Sequence, residues 1–174
     1  DLHHDTAVIA PSDMALAPLG RTALARVRDL DPADAELTID TLAEAVAGVL
    51  GQPEFEAVPL VGVGVAVPAP VRRATGIPAE GYLDEAWKTV PVGLRLQKRL
   101  DHYGVKTNVV VGNDASLGAL GVHTRARLES PWDAPADLMY VRVSRGIGAG
   151  VVLKGHSVTG GDGIAGEIGH IRVD

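Results

Sequence analysis

The chain has 174 residues, with 16 Lys+Arg against 22 Asp+Glu, a formal net charge of -6 at pH 7 and 46% hydrophobic residues. This is enough apolar material for one domain or two small lobes, and it excludes a disordered or collagen-like chain. The acidic balance and the 3% aromatic content argue against general attraction to DNA and against stacking platforms for single strands, and without cysteine the chain can form neither disulfides nor thiolate metal sites.

The amino terminus carries neither Met nor a basic-then-apolar signal pattern, so a cytoplasmic protein is expected. Asp1 reads as a boundary rather than a biological start, and Asp174 follows an unfinished apolar run, so the chain reads as a fragment. Thr6 to Ala10, Met14 to Leu19 and Arg21 to Leu30 are short apolar stretches. Turn signals at Pro11-Ser12-Asp13 and Pro18-Leu19-Gly20 separate them and predict an antiparallel meander. Asp31-Pro32 offers an N-cap followed by proline at the first helical position. Ile39, Leu42, Val46, Val49 and Leu50 then recur at helical spacing until Gly51 and Pro53. Val58 to Val67 predicts an interior strand buried on both faces of a mixed sheet. The apolar run around Leu60 to Val67 is interrupted by Gly62 and Gly64 and is far too short to span a membrane.

Pro68 to Gly81 is a Pro- and Gly-rich loop, and Trp87 beyond it reads as a lobe-packing residue rather than a stacking platform, although Trp does line carbohydrate sites. A helix from about Pro91 carries Val92, Leu96 and Leu100 on one face and ends at Gly104. Val105 to Val111 predicts the next strand, Ala115 to Leu128 a helix, and Asp137 to Ser144 and Ile147 to Leu153 two strands about a glycine turn. Strands alternating with helices define an α/β class, with polar loops at strand ends where ligands bind.

Three places can carry chemistry. Asn113-Asp114 stands where a strand passes into a helix, so its carboxylate has the positive end of a helix beside it and can accept a proton from a substrate hydroxyl. The plainer alternative is that Asp114 caps the helix. Gly146-Ile147-Gly148-Ala149-Gly150 can form an amide nest for phosphate oxygens, or simply a tight hairpin. In Gly160 to His170, Glu167 can accept two hydrogen bonds from adjacent sugar hydroxyls, and His170 can donate, accept or bind a metal. Ordinary surface roles are the alternative. His3, His4 and Asp5 read as a solvated terminus rather than a metal site.

Taken together and in order, Val65-Ala66-Val67-Pro68-Ala69-Pro70-Val71, Gly112-Asn113-Asp114-Ala115, Gly146-Ile147-Gly148-Ala149-Gly150 and Gly166-Glu167-Ile168-Gly169-His170 resemble the ROK family of repressors and sugar kinases. The resemblance implies an actin-like, sugar-kinase-type (ribonuclease H-like) fold of two lobes about a cleft. Residues 1–112 would form the N-terminal α/β lobe, and residues 113–174 the start of the second, truncated before the family's cysteine cluster. It assigns sugar binding to Asn113, Asp114, Glu167 and His170, and, if the protein is a kinase, the catalytic base to Asp114. Phosphate contacts would fall to Asp1, Arg145, Gly146 and Gly148, with Arg145 either pairing with a phosphate or filling its site.

Asp1-Leu2-His3-His4-Asp5 departs from the kinase pattern of Asp, any residue, Gly, Gly, Thr by losing both glycines and the threonine, and Ser144-Arg145 stands where kinases favour Gly-Thr. The resemblance therefore implies a sugar-sensing effector domain of a transcriptional regulator, with an ATP-dependent sugar kinase as the alternative. The implied partners are a sugar or sugar phosphate, a second copy of the chain in a homodimer, and operator DNA through an N-terminal domain outside the chain. A membrane is not among them. ATP and Mg²⁺ belong only to the kinase reading. His170 matches a zinc ligand whose Cys partners are absent, so no metal or other cofactor is expected in this chain, and zinc only in the intact protein.

Overall fold

The computed structural model describes residues 2, 5–19, 25–79, 81–144 and 146–172. The amino-terminal stretch forms an antiparallel pair, β1 (Ala7–Ile9) and β2 (Ala25–Val27), rather than the predicted three-strand meander. The segment from Met14 to Leu19 turns at Met14-Ala15, where the Asp13 carboxylate accepts from the amides of Ala15 and Ala17 at 2.8 and 2.9 Å, and returns to an isolated antiparallel bridge between Ser12 and Pro18. Met14 is left 78% exposed, so no burial draws the segment into a sheet.

Helix α1 (Ala35–Leu50) begins three residues later than Asp31-Pro32 predicts. The Asp31 carboxylate accepts from the Ala33 amide at 2.9 Å in a local turn, and Asp34 supplies the cap by accepting from the Leu37 amide at 2.9 Å. The carboxyl end falls at Gly51, where the periodicity places it.

Strand β3 (Val63–Val67) pairs in parallel with β6 (Val109–Asn113), in register from Val63 opposite Val109 to Val67 opposite Asn113. The predicted strand from Val58 is shortened at its start because residues 58–62 find no ladder partner, and Val58 and Val61 are exposed. Nor is β3 buried on both faces. Val65 and Val67 are buried, Gly64 is exposed, and β6 is its one sheet neighbour among the described residues. The loop after β3 contains a small hairpin, β4 (Val71–Arg72) with β5 (Ile77–Pro78), which the sequence reading did not anticipate.

Helix α2 (Val92–His102) buries Val92, Leu96 and Leu100, as its periodicity predicts, and Gly104 follows it at a φ of +78°. These side chains meet Ile39, Leu42 and Ala43 of α1 and Val65 and Val67 of β3 in one core that also holds Leu2, Leu30 and Trp87. Trp87 is buried and donates its indole N–H to the Pro32 carbonyl at 2.8 Å, so it packs and fixes the approach to α1, in agreement with its predicted role.

Helix α3 (Asp114–Glu129) follows β6 without a break and lies on a second, antiparallel sheet of β7 (Leu138–Val143), β8 (Ile147–Leu153) and β9 (His156–Val158). The face of α3 toward that sheet is made of small residues, Ala115, Ser116 and Ala119, with His123 one turn on. This allows a very close approach. A Cβ at Gly150 would stand 2.1 Å from the Ala115 carbonyl oxygen, so glycine is what lets β8 press against the first turn of α3. Among the described residues, no helix is long and apolar enough to cross a membrane.

Candidate functional site

The strand–helix junction at Asn113-Asp114 is built as the sequence predicts, with the two roles divided differently. Asn113 ends β6 and is the cap, accepting from the Ser116 amide at 3.0 Å, whereas Asp114 is the first helical residue. The reading of Asp114 as a simple cap is thereby corrected. Its Oδ1 accepts from the Ala115 amide at 2.7 Å and from the Asn113 side-chain amide at 3.4 Å, and its Oδ2 accepts from Nη1 of Arg142 on β7. The Asp114 side chain is only 9% exposed, so the carboxylate is held rather than free to rotate.

The segment carrying Glu167 and His170 is seated by glycine at three-residue intervals. At Gly163, with a φ of +80°, a Cβ would stand 2.2 Å from the Val71 carbonyl oxygen. At Gly166, with a φ of +95°, it would stand 2.0 Å from that of Ala149. Both a left-handed backbone and contact with a neighbouring strand are required there, and only glycine satisfies the two together. The Gly166 carbonyl accepts from the Ala149 amide at 2.8 Å, which ties the segment to β8. Glu167 then opens a short 3₁₀ turn, Ile168–His170, which brings His170 Nε2 to 3.9 Å from Glu167 Oε2.

Glu167 links the cluster electrostatically. Its own burial is the main cause that pushes its carboxyl above the usual carboxylate range. His170 opposes that rise, and the nearby Asp114 carboxylate adds to it. Tyr82, just after the β4–β5 hairpin, packs edge-on against the His170 ring at a centroid distance of 5.3 Å. Burial, together with the Glu167 charge, raises its phenol above the ordinary value. Residues from three stretches of chain therefore converge: Asn113 and Asp114, Glu167 and His170, and Tyr82. A partly buried set of acceptors and donors of this kind, beside an aromatic edge, suits a polyhydroxylated ligand.

Tyr82 of this set, and Arg142, which contacts Asp114, were not singled out from the sequence. A signal for Arg142 existed. Leu138, Tyr140 and Arg142 alternate on the more buried face of β7, and a cation on such a face requires an acidic partner. Tyr82 had a weaker one, as an aromatic directly after the Pro/Gly-rich loop.

The expected phosphate contacts are less completely described. Asp1, Arg145, His3 and His4 lie outside the described residues. Gly146 is at the β7–β8 turn, where its carbonyl accepts from the Ser144 amide at 2.9 Å. Gly148 and Gly150 stand within β8 itself, opposite Arg142 and Tyr140, so the glycine turn predicted there is confined to the residues before Ile147. The described residues do not fit the zinc site that His170 matches. No group of three or more His, Cys, Asp or Glu among them can hold a metal ion.

Residues 13–174 match the model of the ROK family. The chain belongs to the ROK family. It is 26% identical over 155 residues to the xylose repressor of Bacillus subtilis (strain 168), covering 89% of this chain and 38% of the repressor. It is 30% identical over 114 residues to the glucokinase of Halalkalibacterium halodurans, covering 66% of this chain and 32% of the glucokinase. Among solved structures, the ROK hexokinase from Thermus thermophilus superimposes with a TM-score of 0.75 at 24% identity, over 99% of this chain and 52% of that one. The fold is thus the actin-like one of the ROK sugar kinases, and the chain spans about a third of the length of the two curated relatives.

Proposed function

We propose that this chain is the sugar-sensing effector domain of a ROK-family transcriptional regulator. The observation that carries the reading is the convergence of Asn113, the buried Asp114 carboxylate and the partly buried Glu167 with the exposed His170. The B. subtilis relative is a xylose repressor, which supports a pentose or hexose as ligand. Sugar binding would favour one arrangement of the parts that flank the cluster, and a DNA-binding module outside these residues would read out that shift in a homodimer.

The choice of sensor over kinase is supported by the stretch from Asp1 to Asp5. It lacks the two glycines and the threonine of a kinase phosphate loop, and the Leu2 side chain is buried while its amide donates to the Ala66 carbonyl at 2.8 Å.

A kinase reading keeps one specific support. Asp114 stands just past the end of β6, at the first position of α3, where it can meet a hydroxyl, and a glucokinase is among the relatives. The two readings separate on the full-length protein. Calorimetry with D-xylose and D-glucose should detect binding, a gel shift on operator DNA should respond to the same sugar, and a coupled ATP assay should show no turnover. Turnover near ~1–100 s⁻¹ would make it a kinase.

A further inference from the structure

The acceptor capacity of Asp114 is almost fully used within the protein. A carboxylate offers about four lone-pair positions. Three are taken, by the Ala115 amide, the Asn113 side-chain amide and the Arg142 guanidinium. The last of these comes from the strand face that looks onto α3. In the β7–β8 ladder Arg142 faces Gly148, and side chains paired across an antiparallel ladder emerge on the same face. A Cβ at Gly148 would touch only Ala115, at 3.6 Å, so that face looks onto the first turn of α3. From that face the guanidinium reaches Asp114.

We infer that Arg142 is a positioning residue that fixes the Asp114 carboxylate so that about one acceptor position is left, for a single ligand hydroxyl. This rests on the sugar-sensing reading and deepens it. Arg142 acts through Asp114 and not on the ligand, and the hydroxyl is bound as a donor to a carboxylate already engaged by a cation. The arrangement selects neutral sugars presenting one hydroxyl at that point.

The test uses the full-length protein as wild type, Arg142→Met, Asp114→Asn and the double variant, with Arg142→Lys as the conservative replacement. Calorimetric titration with D-xylose, D-glucose and D-glucose 6-phosphate should show about a tenfold loss for the neutral sugar on Arg142→Met, which corresponds to about 1.4 kcal/mol. In the Asp114→Asn background the same substitution should cost nothing more, and Arg142→Lys should recover most of the affinity. Equal losses in both backgrounds, or a preference for the phosphate ester that disappears with Arg142→Met, would overturn the inference by making Arg142 a direct ligand contact. If wild type binds none of these sugars, the sensing reading fails, and urea unfolding of the same four proteins then judges the pair alone. Non-additive stabilities support the coupling of Arg142 to Asp114, and additive ones refute it.

Discussion

Gly150→Ala is the smallest change that should disturb both the fold and the ligand site. The new Cβ would fall 2.1 Å from the Ala115 carbonyl oxygen and 2.6 Å from the Ala119 Cβ, whereas real Cβ atoms essentially never approach within 3.0 Å. Relief therefore requires α3 and β8 to separate by nearly an ångström at the turn that carries Asp114. Neither obstacle can swing aside, since one is helix backbone and the other a Cβ fixed to it. Overpacking of this kind costs about 1–3 kcal/mol, and a chain of this size loses about 2–4 °C of melting temperature per kcal/mol. A fall of about 5 °C is expected by circular dichroism, with weaker sugar binding because the first turn of α3 moves. Gly148→Ala supplies the control. It is two residues away on the same strand, and its Cβ would make one ordinary contact, 3.6 Å from the Ala115 Cβ, so it should melt within about 1 °C of wild type. Equal melting temperatures for the two variants would refute the close packing of β8 on α3.

Glu167→Gln should stabilise the protein near neutral pH and not in acid. The Glu167 carboxyl is raised in the folded state by burial first, so folding favours its neutral form. Its contribution to stability is present below the unfolded-state value and is lost as pH rises through the folded one, a loss that glutamine avoids. Urea midpoints of the two proteins should converge below about pH 4, near the unfolded glutamate value, and a gap that persisted or widened in acid would contradict this. Trp87→Phe should cost about 1–2 kcal/mol in urea unfolding by leaving the Pro32 carbonyl without its indole donor, and a neutral result would mean that water replaces the bond. Asn113→Ala should cost about 1 kcal/mol through the lost helix cap, and Asn113→Asp should restore most of that stability because aspartate caps equally well; a stability of Asn113→Ala equal to wild type would deny the cap.

Local chemistry determined those parts of this protein whose cause lies within a few residues. The apolar spacings of α1 and α2, the glycines that end them and the passage of β6 into α3 at Asn113-Asp114 all depend on neighbours in sequence, and all were legible before any coordinates. Where the cause was a distant partner, local patterns misled. Val58 to Gly62 has the composition of a strand but no opposing ladder, because β6 matches only Val63–Val67. Gly150 reads as a turn residue, yet its function is to admit the backbone of a helix. The same division holds at the site. The order of the four family motifs points to Asp114, Glu167 and His170 as candidates, but periodicity carries no information on contacts across the fold. The Arg142 pair spans 28 residues of sequence, and Tyr82 reaches His170 from the other side of both α2 and α3 in the chain. Those contacts exist only because α3 packs on β7 and β8 and the glycine-seated segment lies against Val71 and Ala149. Tertiary packing alone decided which of these side chains stand together and which of them the Asp114 carboxylate meets.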